Sequence, residues 1–291
     1  GCFDSYLIYH SFCYPLILIL LCNCCNIFTL LMSSCLTATI YCPVKLFFTI
    51  DTSETIALQE PPPGSLVESI KEFMKMFAQK LEDEAYRGHI QITWAFGGLH
   101  FSQKHVVFSQ FTNRVSFIKS LNQIKYLGKG TYIDCALRNM TQQMTHHYSE
   151  IKPVLFSVVV TDGHVTGSPC SGIKMAAEKA RDQGIHIFSV AASSNIDELG
   201  MKEIASSPVE LYRDNYIVME IVDGRPRMSE ETIDRIIKVM CYKPTCRAVP
   251  GSPGPKGPSG PKVSPRRLIT IVSFYIVFLS FYFTKMFCYL C

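Results

Sequence analysis

The run Lys45-Leu46-Phe47-Phe48-Thr49-Ile50, bounded by Pro43 and Asp51, is apolar and has no helical spacing. This predicts a strand buried on both faces. Beyond the turn-forming Pro61-Pro62-Pro63-Gly64, apolar residues recur at spacings of three and four: Leu66, Val67, Ile70, Phe73, Met74, Phe77, Ala78 and Leu81. Charged residues fall largely between them, so the pattern predicts an amphipathic helix. The same reading gives strands near 89–96 and 105–109, then a helix over 115–124. After the loop Gly128-Lys129-Gly130-Thr131 it gives a helix over 132–144 and a strand over 154–160. A helix over 172–182, a strand over 185–191, a helix over 197–205 and a weaker strand within 211–221 follow. Ser229 is placed to cap a last helix ending at Met240, with Glu230 and Glu231 in its first turn, where the helix dipole favours acids.

Strands alternating with helices require crossover connections and a mainly parallel sheet with helices on both faces. The expected fold class is doubly wound α/β, and in such sheets ligand sites form outside the carboxyl ends of the strands.

Composition divides the chain further. Residues 1–41 contain no Lys or Arg, one acid and six of the 13 cysteines. They read as an apolar, signal-like segment or as sequence foreign to the mature protein. Residues 42–247 have ordinary globular composition, residues 248–262 are rich in Gly and Pro, and residues 263–291 form an apolar tail. The uncharged run from Leu268 to Phe283 has 16 residues. As a helix it would be about 24 Å long, short of a hydrocarbon core of ~30 Å. A misplaced exon boundary is expected there, and a membrane span is not. Between residues 42 and 250 there are 23 basic and 23 acidic residues, so the formal +4 charge belongs to the tail. Without a basic face, nucleic acid is excluded as a partner.

Two of the most apolar strands run directly into carboxylates, Asp51 after the first and Asp162 after Val154–Thr161. Parallel strands place both acids on one rim. Asp51-Thr52-Ser53-Glu54-Thr55 offers a carboxylate and two hydroxyls at alternate positions, and Thr131 adds a third hydroxyl from the glycine-flanked loop. Hard oxygen donors of this kind suit Mg²⁺, with Mn²⁺ or Ca²⁺ as alternatives, and do not suit zinc, which prefers Cys and His.

On Asp51, Ser53, Thr55, Thr131 and Asp162, in this order and strand context, the chain resembles the von Willebrand factor A-type domain and its metal-ion-dependent adhesion site. Thr55 departs from that pattern, which has Ser; it keeps the hydroxyl and adds a methyl beside the ligand positions. The resemblance implies a metal that leaves one coordination position open for an acidic residue of a matrix or cell-surface partner, hence adhesion without catalysis.

Four consecutive Gly-X-Y triplets follow from Gly251 to Lys262. This is the repeat of a collagen triple helix, whose axis admits only glycine. The segments LFFTIDTSETIALQEPPPGS, YLGKGTYIDCAL and VTDGHVTGSPC, with the CYKPTC spacer, resemble the A domains of type VI collagen chains over about residues 42–262. That resemblance implies a secreted extracellular-matrix chain that forms disulfide-linked heterotrimers with other collagen VI-type chains.

Five cysteines fall in this region: Cys42, Cys135, Cys170, Cys241 and Cys246. Cys135 and Cys170 each follow a metal-site segment and are placed to pair. Cys42 is expected to bond to one of Cys241 and Cys246, leaving the other for an interchain bond. Asn139-Met140-Thr141 is an N-glycosylation sequon. Two rivals are weaker. An α/β enzyme lacks the dinucleotide and nucleophile-elbow glycine motifs, with His164 beside Asp162 read as a rim histidine. A single-pass adhesion receptor would share the A-domain head and differ only at the chain's ends.

Overall fold

The computed structural model describes residues 40–59, 64–86, 90–145, 152–222 and 225–242. The chain divides into two units, Gly1–Pro250 and Gly251–Cys291, and every described residue lies in the first. The apolar segment before residue 40, Cys246, the Gly-X-Y triplets and the apolar tail lie outside the described residues.

The elements run β1 (Ile40–Asp51), α1 (Glu54–Ala57), α2 (Ser65–Lys80), β2 (Glu84–Tyr86), β3 (Ile90–Phe101), β4 (His105–Thr112) and α3 (Arg114–Ser120). They continue with α4 (Ile133–Thr145), β5 (Val154–Thr161), α5 (Ile173–Asp182), β6 (Ile185–Ala191), α6 (Glu198–Ile204), α7 (Val209–Tyr212), β7 (Met219–Val222), β8 (Arg225–Met228) and α8 (Glu230–Tyr242). The main sheet has six strands among the described residues, in the order β2-β3-β1-β5-β6 with β4 also on β3. β1 is parallel to β3 and β5, and β5 is parallel to β6. β2 and β4 both pair antiparallel with β3. The fold is the expected doubly wound α/β sheet with an antiparallel edge.

Period-two alternation along β1 divides the core between the two faces. Leu46, Phe48 and Ile50 join one cluster with Phe73 and Phe77 of α2 and Ile233 and Ile236 of α8. Phe47 enters the other cluster, with Ile133, Leu137 and Met140 of α4 and Ala177 of α5. Phe48 is fully buried, its ring centroid 5.6 Å from that of Phe77 and 5.5 Å from that of Phe117. Both faces of the central strands are therefore covered, which is why their sequences read as continuous apolar runs.

Several elements differ from expectation. β1 begins at Ile40, with Ile40 and Tyr41 opposite Ile90 and Gln91, so two residues of the front segment belong to the sheet. β3 continues past Phe96 through Gly97 and Gly98 to Phe101, and its pairing with β4 shifts register around those glycines. The segment expected to hold a weak strand does contain one, the short β7, but it pairs with β8 in a separate ribbon and is preceded by α7 and a bridge from Ile217 to Ala191.

Cys135 on α4 is bonded to Cys170 in the loop before α5, with Cα atoms 5.1 Å apart and a sequence separation of 35. Cys42 and Cys241 are disulfide-bonded as well. Closing a loop of this length removes about 3 to 4 kcal/mol of unfolded-chain entropy. The Cys135→Ser, Cys170→Ser double variant is expected to unfold at lower urea, with stability reduced by about that amount. An unchanged midpoint would show that the bond constrains nothing.

Candidate metal centre

β1 and β5 are parallel with Ile50 opposite Val160, so their carboxyl ends share one rim and deliver Asp51 and Asp162 side by side. Both carboxylates are fully buried. Ser53 N–H donates to Asp51 Oδ1 at 2.9 Å, and the Thr161 hydroxyl donates to Asp51 Oδ2 at 2.8 Å. His164 N–H donates to Asp162 Oδ1 at 3.0 Å.

The hydroxyls come from two loops locked together by backbone. Leu127 N–H and Gly128 N–H donate to Thr52 O at 3.1 and 3.3 Å, and Glu54 N–H donates to Lys129 O at 3.1 Å. Thr131 N–H donates to the Thr166 hydroxyl at 2.8 Å, and Thr166 N–H returns to Thr131 O at 3.2 Å. Within this frame Ser53 Oγ and Thr55 Oγ1 lie 2.9 Å apart, and Thr55 Oγ1 and Thr131 Oγ1 lie 3.5 Å apart.

Thr52 is the fixed point behind the loop. Its hydroxyl donates to Phe101 O at 3.1 Å and lies within hydrogen-bond distance of His100 Nδ1, at 3.1 Å. Burial, and then Lys71, push the His100 imidazole down to about 4, so it is neutral near pH 7.

Burial, and next the charge of Asp162, push Asp51 up to about 7 despite the hydrogen bonds from Ser53 and Thr161. Burial also raises Asp162, against hydrogen bonds from His164 and Thr55. Two desolvated carboxylates that repel each other, joined by three hydroxyls, leave negative charge that hydrogen bonds do not neutralise. A small divalent cation with oxygen ligands would neutralise it, so the donor set fits such an ion.

All five residues expected at the metal site, Asp51, Ser53, Thr55, Thr131 and Asp162, thus lie in one cluster of oxygens. Their supports, Thr52, Thr161 and Thr166, carry no distinguishing pattern of their own. Gln59 was also missed: from the turn after α1, its Nε2 donates to Asp162 Oδ2 at 3.0 Å. His164 is exposed on the rim. Among the described residues, Asp134, Cys135 and Cys170 also place three potential ligand atoms together. There the sulfurs are bonded to each other, and Asp134 accepts from the backbone N–H of Cys135, Cys170 and Gly172 at 2.9, 2.6 and 3.1 Å. That group is a disulfide braced by a carboxylate.

Asn139 lies on α4 with its Oδ1 buried and unpartnered. Thr141 of the same sequon is buried, its hydroxyl donating to Leu137 O at 2.8 Å. The folded helix therefore does not present the sequon as an extended surface segment.

Residues 46–223 match the family model described as von Willebrand factor type A domain. The chain belongs to this family. Over 218 residues it is 48% identical to the collagen alpha-2(VI) chain of Gallus gallus, covering 72% of this chain and 21% of that one. Over 230 residues it is 35% identical to the collagen alpha-1(VI) chain of Homo sapiens, covering 73% and 22%. The chain thus spans about a fifth of the length of these relatives.

Among solved structures, proximal thread matrix protein 1 of the mussel byssus superposes with a TM-score of 0.51 at 15% identity, over 70% of this chain and 47% of that one. A further structure of that protein, with a zinc-occupied MIDAS motif, also has a TM-score of 0.51 at 15% identity, over 71% and 47%. These likenesses establish the A-domain fold.

Proposed function

We propose that this chain is a collagen VI-type chain of the extracellular matrix. Its A domain holds Mg²⁺, or Mn²⁺ or Ca²⁺, at Asp51, Ser53, Thr55, Thr131 and Asp162. The observation that carries the reading is the buried carboxylate pair and hydroxyl cluster at the sheet rim. When bound, the ion supplies a positive charge with a coordination position open to a carboxylate. The chain's own residues orient the donors, and the locked 52–54 and 127–131 loops hold them close together.

A matrix or cell-surface protein offering an acidic side chain is the partner this chemistry suits, and the domain acts by adhesion and assembly, without catalysis. The 48% identity to a collagen alpha-2(VI) chain supports secretion and assembly into heterotrimers with other collagen VI-type chains. Among the described residues no helix is long and apolar enough to cross a membrane.

Calorimetric titration of the full chain with Mn²⁺ tests the metal reading. One ion per chain, reversed by EDTA, is expected, together with capture of a glutamate-bearing collagenous peptide that EDTA abolishes. No ion uptake, or capture indifferent to EDTA, would refute the reading.

A further inference from the structure

The Gln59 side chain connects three groups that are far apart in sequence. Its Nε2 donates to Asp162 Oδ2 at 3.0 Å and to Asn195 O at 3.3 Å. Its Oε1 accepts from the Ser193 hydroxyl. Both amide hydrogens and the amide oxygen are therefore engaged, and this settles the amide's orientation: reversed, it would set its oxygen against a carboxylate oxygen and an amide carbonyl.

We propose, building on the metal reading above, that Gln59 is a positioning residue of the metal centre. It holds the Asp162 carboxylate to the segment 193–195, so that ion binding and the order of that segment are coupled.

The chemistry of the amide suits this role. Lys or Arg at this position would cancel the Asp162 charge and compete with a cation. A neutral N–H fixes the carboxylate and leaves its charge available. Asp162 Oδ1 is held independently by His164 N–H, and a carboxylate oxygen accepts more than one bond, so the Gln59 contact leaves Asp162 able to ligate.

Gln59 is also mechanically tied to the hydroxyl ligands. Gln59 N–H donates to Ile56 O at 3.3 Å at the end of α1, the four-residue helix that begins just after Ser53 and contains Thr55. The 193–195 segment is pinned on its far side, where Asp197 N–H donates to Asp162 O at 2.8 Å. A shift of Asp162 on binding an ion is therefore transmitted to residues 193–195 by two routes, and Gln59 is the side-chain one.

Hydrogen bonds to ligating carboxylates are worth roughly 10- to 100-fold in metal affinity. Two variants of the full chain, Gln59→Leu and Ser193→Ala, test the proposal by Mn²⁺ titration and by amide hydrogen exchange across 193–195, with and without Mn²⁺. In the wild type, Mn²⁺ is expected to slow exchange in that segment. Gln59→Leu should weaken Mn²⁺ binding about tenfold or more and remove the Mn²⁺-dependent protection. Ser193→Ala, which leaves the Asp162 contact in place, should reduce both effects in the same direction, and it carries the test if Gln59→Leu does not fold. Wild-type affinity and protection in both variants would overturn the role of Gln59 while leaving the metal site standing. A wild-type chain that takes up no Mn²⁺ would overturn both.

Discussion

Asp51→Ala is expected to abolish the stabilisation of the domain by Mg²⁺ or Mn²⁺. A ligand at 100 times its dissociation constant adds about 2.7 kcal/mol to the folded state. For a domain of this size that corresponds to roughly 5 to 10 °C in melting temperature. The wild type should show this shift and the variant none, because removing Asp51 takes away one of only two carboxylates in the cluster. The variant should still fold: Phe48 and the rest of the aromatic core lie deeper in the sheet than the rim. Its apo form loses the acceptor for Ser53 N–H and the Thr161 hydroxyl but also sheds a desolvated charge that repels Asp162. Asp51→Asn, which keeps the shape, should likewise lose the ion-dependent shift. Equal shifts in wild type and both variants would remove Asp51 from the site.

The second large effect is expected at Gly163, directly after Asp162. Its φ is +80°, and a Cβ there would lie 2.6 Å from the backbone oxygen of Asp197. Strain and clash act together, so Gly163→Ala should destabilise the domain by about 3 kcal/mol or more. Gly184 provides the control. Its φ is +82°, yet the nearest heavy atom to an added Cβ is Lys152 Nζ at 4.0 Å. Gly184→Ala should cost about 1 kcal/mol, the strain alone. Gly200 in α6 faces Gly163 from the other side, its added Cβ 2.8 Å from Gly163 O. An Ala inside a helix ordinarily stabilises by about 1 kcal/mol over Gly. Here Gly200→Ala should destabilise. Urea unfolding of the three variants checks this order, and equal losses at Gly163 and Gly184 would mean that the close approach of the two backbones is unimportant.

The fold was legible wherever an element was long enough to express its period. LFFTI and VLFSVVV carried the central strands, and the spacing from Leu66 to Leu81 carried α2, whose buried face consists of those residues as far as Ala78, with Leu81 just past its end. The parallel pairing of β1 with β5 followed from the intervening helices, and with it the shared rim of Asp51 and Asp162. What escaped was short or irregular. β2 has three residues and α1 and α7 have four, too few for any periodicity to register. In β3 the pair Gly97-Gly98 interrupts the alternation, because those positions are taken up by the rings of Phe47 and Phe108 rather than by side chains of their own. Gln59 was invisible for a different reason. Its neighbours in the turn have no pattern, and its function depends on partners more than 100 residues away that only the folded sheet brings near.

Anomalous diffraction from crystals of the domain grown in Mn²⁺ tests the central claim most directly. A single manganese peak is expected among the oxygens of Ser53, Thr55, Thr131 and the two buried carboxylates, and it should be missing from crystals of the Asp51→Ala variant grown the same way. Well-ordered Asp51 and Asp162 side chains with no peak between them, or a peak only elsewhere on the molecule, would contradict it.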